Sequence, residues 1–173
     1  MAASNKITIF TDGACKGNPG KGGWAAVIVI DGVQYLHSGG EPRTTNNRME
    51  LMGAIKGIEA APPDREIVLY SDSTYLVNTM TKGWKRNANR DLWAQLDRLC
   101  KERRVDWKWV RGHNGTPGNE MADRLASMEA GLFQRGTGGA HQKASSGTAV
   151  QTPGQDKPSR PFVPYRKPRR TQS

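Results

Sequence analysis

Ile7-Thr8-Ile9-Phe10-Thr11-Asp12-Gly13-Ala14-Cys15 is a β-branched and aromatic run that stops at a carboxylate and a glycine. Residues 6–12 read as a strand through a core, with Gly13 as the punctuation after it. An acidic side chain at the end of such a strand is costly unless a cation meets it. Taken alone, Asp12 is most simply the cap of a turn. A divalent metal becomes the better partner only if the rest of the chain delivers more carboxylates to the same edge.

Working outward, residues 13–23 form a glycine-rich stretch that reads as a tight hairpin connection. It fails as a phosphate-binding P-loop, because position 15 is Cys and Gly20-Lys21 is followed by Gly22 instead of Ser or Thr. Residues 24–30 form a second strand, Asp31-Gly32 is a two-residue hairpin signal, and residues 33–38 return as a third strand. Residues 45–61 have the period of a helix, with Leu51, Met52, Ile55 and Ile58 on one face. A second line, Glu50, Ala54, Gly57 and Ala61, is small except for its head. Small residues let a helix approach its neighbour closely, so Glu50 is expected to be pressed toward the sheet. The plainer reading is a first-turn glutamate favoured by the helix dipole.

Pro62-Pro63 ends that helix, and Glu66–Ser71 is a fourth strand running into Asp72. Strand, helix, strand implies a crossover and a parallel pairing, which puts Asp12 and Asp72 at one edge of the sheet. Residues 73–82 form a short helix stopped by Gly83, residues 84–90 a polar connector, and residues 91–104 a helix with Leu92, Trp93, Leu96 and Leu99 on one face. Residues 105–110 alternate as a fifth strand. After a loop at 111–119 comes a last helix with two candidate inner faces. One is the stripe Met121, Leu125, Met128 and Leu132; the other is the small ridge Asp123, Ala126, Ser127 and Ala130.

The 173 residues suit one domain plus a tail, and the 35% hydrophobic content implies that part of the chain joins no core. The net charge of +10 favours a polyanionic partner, and it is uneven: residues 1–131 carry +3 and residues 132–173 carry +7. The expected division is a domain over 1–133 and a basic, Pro- and Gly-rich tail over 134–173 without fixed structure. No export signal or membrane-length apolar run is visible, and Cys15 and Cys100 read as free thiols, so the expected location is the cytoplasm.

Four acids share one logic: Asp12 and Asp72 at ends of neighbouring strands, Glu50 and Asp123 on first turns of helices crossing them. Carboxylates packed together repel and would stay partly protonated without a counter-charge. Mg²⁺ suits a carboxylate-and-water shell, with Mn²⁺ the alternative ion. Two such ions can activate a water and stabilise the leaving oxygen of a phosphodiester.

With these residues assembled, the chain resembles type 1 ribonuclease H over roughly residues 6–131. The resemblance rests on Thr11-Asp12-Gly13-Ala14-Cys15 with Gly17-Asn18-Pro19-Gly20; on Thr44-Thr45-Asn46-Asn47-Arg48-Met49-Glu50-Leu51; on Ser71-Asp72-Ser73; on Asp91-Leu92-Trp93; and on Gly112-His113 followed by Gly118-Asn119-Glu120-Met121-Ala122-Asp123. It implies an α/β fold, a five-stranded mixed sheet in the order 3-2-1-4-5 with helices on both faces. It implies endonucleolytic hydrolysis of the RNA strand of RNA/DNA hybrids, leaving 5′-phosphate and 3′-hydroxyl ends; a monomer is the default expectation. Asp12, Glu50, Asp72 and Asp123 match the family's metal-binding carboxylates, His113 its mobile proton-handling histidine, and Glu120 a further acid beside the second metal. Gly13, Cys15, Asn18, Asn46, Asn47 and Thr74 resemble its minor-groove readers. Thr45, Arg48 and Asn89 resemble its pocket for a DNA phosphate, and Trp84 its channel aromatic.

The chain departs from the pattern between residues 83 and 90, which are too few for the basic protrusion that some members carry. The basic tail is expected to replace it by phosphate contact, or else to dock a protein partner. A binding module for the hybrid without catalysis is the alternative function, disfavoured because a pure binder gains nothing from repelling carboxylates. A DNA-strand nuclease or transposase-like domain is disfavoured by Asn46-Asn47-Arg48.

Overall fold

A computed structural model of the chain describes residues 5–132. The tail expected over 134–173 lies outside the described residues. The elements are β1 (Lys6–Lys16), β2 (Gly20–Ile30), β3 (Val33–Thr44), α1 (Asn46–Ala60), β4 (Glu66–Ser71), α2 (Thr74–Lys82), α3 (Arg90–Glu102), β5 (Val105–Trp109) and α4 (Pro117–Glu129). The sheet order is β3-β2-β1-β4-β5, as anticipated. β1 pairs antiparallel with β2 and parallel with β4, and the parallel register ends at Thr11 beside Ser71. Asp12 and Asp72 are the next residues along, so the crossover rule delivered both to one edge.

Alternation along β1 feeds two cores. Ile7 and Ile9 join α1, α3 and β4 on one face, while Ala14 joins Ala122 and Ala126 of α4 and Ala130 just past its end on the other. Fully burying side chains such as Ile9, Leu51 and Leu69 is worth about 1.5–3 kcal/mol each.

Three expectations need correction. The turn is shorter than residues 13–23, because β1 runs on to Lys16 and β2 starts at Gly20. Several glycines there serve close approach instead of turning. A Cβ on Gly13 would lie 2.3 Å from the Glu50 amide nitrogen, and one on Gly23 would lie 2.3 Å from the Ala126 carbonyl oxygen. β3 likewise continues past Ser38 to Thr44, because its pairing with β2 runs on through Gly39 opposite Trp24, whose indole leaves no room there for a Cβ. Finally, α4 begins at Pro117, and its buried line is Gly118, Ala122, Ala126 and Ala130. The apolar stripe turns outward, with Met128 53% and Leu132 46% exposed. A helix that must sit on the glycines of β2 does so on its smallest face.

Candidate active site

Asp12 emerges from β1 5% exposed, its Oδ1 accepting a hydrogen bond from the Gly13 amide at 2.9 Å. Glu50 opens the second turn of α1, one residue past the first turn expected for it, and is 4% exposed. It reaches that depth because Gly13, lacking a side chain, lets the backbone of Met49 and Glu50 lie against β1. The Thr45 Oγ1 caps this helix by accepting from the Arg48 amide at 3.3 Å.

Asp72 leaves β4 at a backbone fixed from three directions. The Trp109 Nε1 donates to its carbonyl at 3.1 Å, the Val110 amide donates to the Ser71 carbonyl at 3.0 Å, and the Ser73 amide donates to the Ser71 Oγ at 3.1 Å. Gly112 lies so close that a Cβ there would be 2.7 Å from Asp72 Oδ2.

One oxygen each of Asp12, Glu50 and Asp72 lie within 4.8 Å of one another. Burial, then the Asp72 and Asp123 charges, push the Asp12 carboxyl up to about 8. Burial and the Asp12 and Asp72 charges hold Glu50 well above the usual carboxylate range. Asp72 is also raised, by burial and then by Asp123, against a hydrogen bond from Asn119 and the nearby His113. The buried Glu50 Oε2 has no hydrogen-bond partner among the described residues. Carboxylates crowded in this way are relieved by a cation, and an all-oxygen donor set fits a hard divalent one.

Asp123, on the second turn of α4, stays outside this tight trio but close enough to act on Asp12 and Asp72. It faces His113, whose Nδ1 is 3.9 Å from Asp123 Oδ2 and whose side chain is 83% exposed. His113 sits at φ 53, between Gly112 and Gly115. The Glu120 Oε1 is occupied by the Gly115 amide at 3.0 Å and steadies this loop.

The expected substrate contacts gather at the start of α1. Asn18 Oδ1 accepts from the Asn46 amide at 3.0 Å. The Cys15 thiol points inward, 3.4 Å from the Thr44 carbonyl, which leaves its backbone as the part available for reading a groove. Thr45, Arg48 and Asn89 come together, with Arg48 donating to Asn89 Oδ1 at 3.3 Å. Asn47, Thr74 and Trp84 are exposed, and no hydrogen bond among the described residues joins Thr74 or Trp84 to this cluster.

Three residues were missed by sequence reasoning. Asn119, 2% exposed, bonds Asp72 from one turn before Asp123, a position that its i, i+4 spacing could have flagged. Trp109 follows from the β4–β5 register, in which it stands beside Ser71. Asp91 grips Arg48 through two hydrogen bonds of 3.0 and 2.8 Å, and no local signal links residues so far apart in sequence.

With this geometry in place, the likenesses are consistent. A family model described as RNase H matches residues 4–131. A protein called Ribonuclease H from Pseudomonas putida (strain W619) is 50% identical over 137 residues, covering 72% of this chain and 93% of that one. Ribonuclease HI from Pseudomonas putida (strain KT2440 among its designations) matches at the same identity and coverage. Among solved structures, LC9-RNase H1, a type 1 RNase H with the type 2 active-site motif, superposes with a TM-score of 0.64 at 31% identity, over 76% of this chain and 75% of that one. LC11-RNase H1 in complex with RNA/DNA hybrid shares the fold, with a TM-score of 0.62 at 24% identity, over 73% and 97% of the two chains.

Proposed function

The chain belongs to the ribonuclease H family, and on that premise we propose that it hydrolyses the RNA strand of RNA/DNA hybrids endonucleolytically, leaving 5′-phosphate and 3′-hydroxyl ends. The observation that carries the proposal is the buried trio Asp12, Glu50 and Asp72, with oxygens within 4.8 Å of one another. A binding module has no use for carboxylates raised this far by burial and by one another's charges. Asp12, Glu50, Asp72 and Asp123 would hold two Mg²⁺ ions, with Mn²⁺ the alternative. When bound, these supply water activation and charge stabilisation at the scissile phosphate.

The chain's own groups do the rest. Gly13, the Trp109 indole and Asn119 fix where the carboxylates point, so little reorganisation accompanies the reaction. His113, on an exposed loop beside Asp123, moves a proton between the reacting oxygens and water. Thr45, Arg48 and Asn89 gather as the place for a backbone phosphate, with the Arg48 guanidinium held there by Asp91 and Asn89, and the groups around Gly13, Cys15, Asn18, Asn46, Asn47 and Thr74 read the sugar edges of the minor groove. Trp84 offers an open aromatic face, 48% exposed, to the DNA strand. We further propose a monomer acting in the cytoplasm, which suits the free thiols Cys15 and Cys100. Among the described residues, no helix is long and apolar enough to cross a membrane.

The test is cleavage of labelled RNA/DNA hybrid against RNA/RNA and DNA/DNA duplexes, with Mg²⁺ or EDTA, for wild type and Asp72→Asn. Hybrid-only, Mg²⁺-dependent cutting that falls about 10²–10³-fold in the variant is expected, the scale of losing a preorganised electrostatic group. Normal cleavage by Asp72→Asn would remove the site from the reaction. Hybrid binding without cleavage by wild type would favour the binding-module reading.

A further inference from the structure

The hairpin joining β1 to β2 holds an arrangement that the fold does not need. Lys16 stands directly opposite Lys21 in the β1–β2 register. Like charges in directly opposed positions weaken an antiparallel pair. Both residues are exposed, and among the described residues neither takes part in an ion pair. The backbone therefore holds two positive charges side by side. Asn18 at the hairpin tip is tied to the first turn of α1 through the Asn46 amide, so the pair has a fixed place relative to the carboxylates.

That place can be read from the strand. Side chains alternate, so Asp12, Ala14 and Lys16 share one face of β1. Opposite Ala14 is Gly23, where a Cβ would strike Ala126, so this is the face that α4 covers. α4 ends at Glu129, and the Lys21 ammonium lies beside Gly131, just past that end. The helix thus covers the residues between Asp12 and the lysines and stops short of the lysines themselves. Glu129, the acid of its last turn, is bound to the Ser38 Oγ at 3.0 Å. Four residues of strand put Lys16 about 13 Å from Asp12. A nucleic-acid strand covers that span in about four nucleotides at about 3.4 Å each.

Resting on the hydrolase reading above, we infer that Lys16 and Lys21 form a clamp for a phosphate of the cleaved strand, a few nucleotides from the scissile bond. A phosphate between the two ammonium groups replaces one repulsion by two attractions. Lysine suits this task as a point charge needing no bidentate geometry. The contact carries no sequence information; it sets register and adds to the salt dependence of binding.

The experiment uses the full chain with Lys16→Ala, Lys21→Ala and the double variant, assayed on a short RNA/DNA hybrid over a range of salt. The double variant is expected to raise KM about 5–20-fold at low salt and to flatten the plot of log KM against log salt by about 0.9, the slope carried by one phosphate contact. Its melting temperature should not fall, since a repulsion has been removed. A second set of hybrids carries one neutral methylphosphonate, stepped along the RNA strand. Wild type should lose affinity at one step a few nucleotides from the cut, and the double variant should be indifferent there. Unchanged KM and salt slope would overturn the clamp, as would a lowered melting temperature with unchanged KM, which would make Lys21 a cap of α4. Anisotropy of labelled hybrid in EDTA repeats the comparison without cleavage. If wild type fails to cut, the hydrolase reading falls separately from the clamp.

Discussion

Asp12 ionises near pH 3.9 in an unfolded chain but is pushed up to about 8 in the fold by burial and by its acidic neighbours. Between these values the folded state holds a proton that the unfolded state has lost, so stability falls as pH rises through the window from about 4 to about 8. Glu50 works in the same direction. In EDTA the protein should therefore melt progressively lower from pH 4.5 to 8. Asp12→Asn should flatten that slope and melt several degrees above wild type at pH 8, since about 1 kcal/mol moves a domain of this size by about 4 °C. Mg²⁺ should narrow the gap by stabilising only the wild type. Thermal scans at four pH values decide it: an Asn variant no more stable than wild type at pH 8 in EDTA would mean that the trio does not repel. Single residues were legible in the sequence where a strand end or helix turn announced them, as for Asp12 and Glu50. Asp91 was illegible, because its hold on Arg48 exists only after α1 and α3 have come together.

At the scale of elements, the deciding residues are those with no side chain. A Cβ at Gly13 would meet Met49 and Glu50 backbone at 2.5 and 2.3 Å, and backbone on both sides cannot yield without separating α1 from β1. Gly13→Ala should cost about 2–4 kcal/mol and lower activity further than stability explains, because Glu50 moves with the helix. Gly57→Ala, on the same helix, would meet the Ala26 and Ile9 side chains at 3.1 Å. There the gain in helix propensity, about 1 kcal/mol, offsets the crowding, and the net change should stay within about 1 kcal/mol. Urea midpoints for the two variants test the contrast, and equal losses would refute it. The same physics explains where element boundaries misled. Gly13, Gly22, Gly23 and Gly39 look like turn residues in sequence, yet they lie within strands as places where a helix or an indole comes near. The outward stripe of α4 misled for the complementary reason: apolar periodicity marks the usual buried face, but a sheet lined with glycine admits only the alanine face.

For the molecule as a whole, the meander of β1 to β3 and the pairing of β1 with β4 followed from one hairpin signal and the crossover rule, and the complete strand order from the family resemblance, whereas the charge distribution is a separate matter. Residues 1–131 carry a net +3, and part of that charge is already engaged, as in Arg48 with Asp91 and Arg86 with Asp97. The connector between α2 and α3 offers few residues for further basic contacts. Residues 132–173 carry +7, with Arg160, Arg166, Lys167, Arg169 and Arg170 close together in sequence. A polyanion should respond to that charge wherever the tail sits, because counterion release needs proximity and not a defined pose. Deleting residues 135–173 should raise KM at low salt, flatten its salt dependence and leave kcat and the melting temperature nearly unchanged. Combined with Lys16→Ala and Lys21→Ala, the deletion should add to their effect on log KM, because independent sites contribute additively. A tail that instead serves a protein partner would leave KM of the isolated enzyme the same at low and high salt, and that result would remove it from substrate binding.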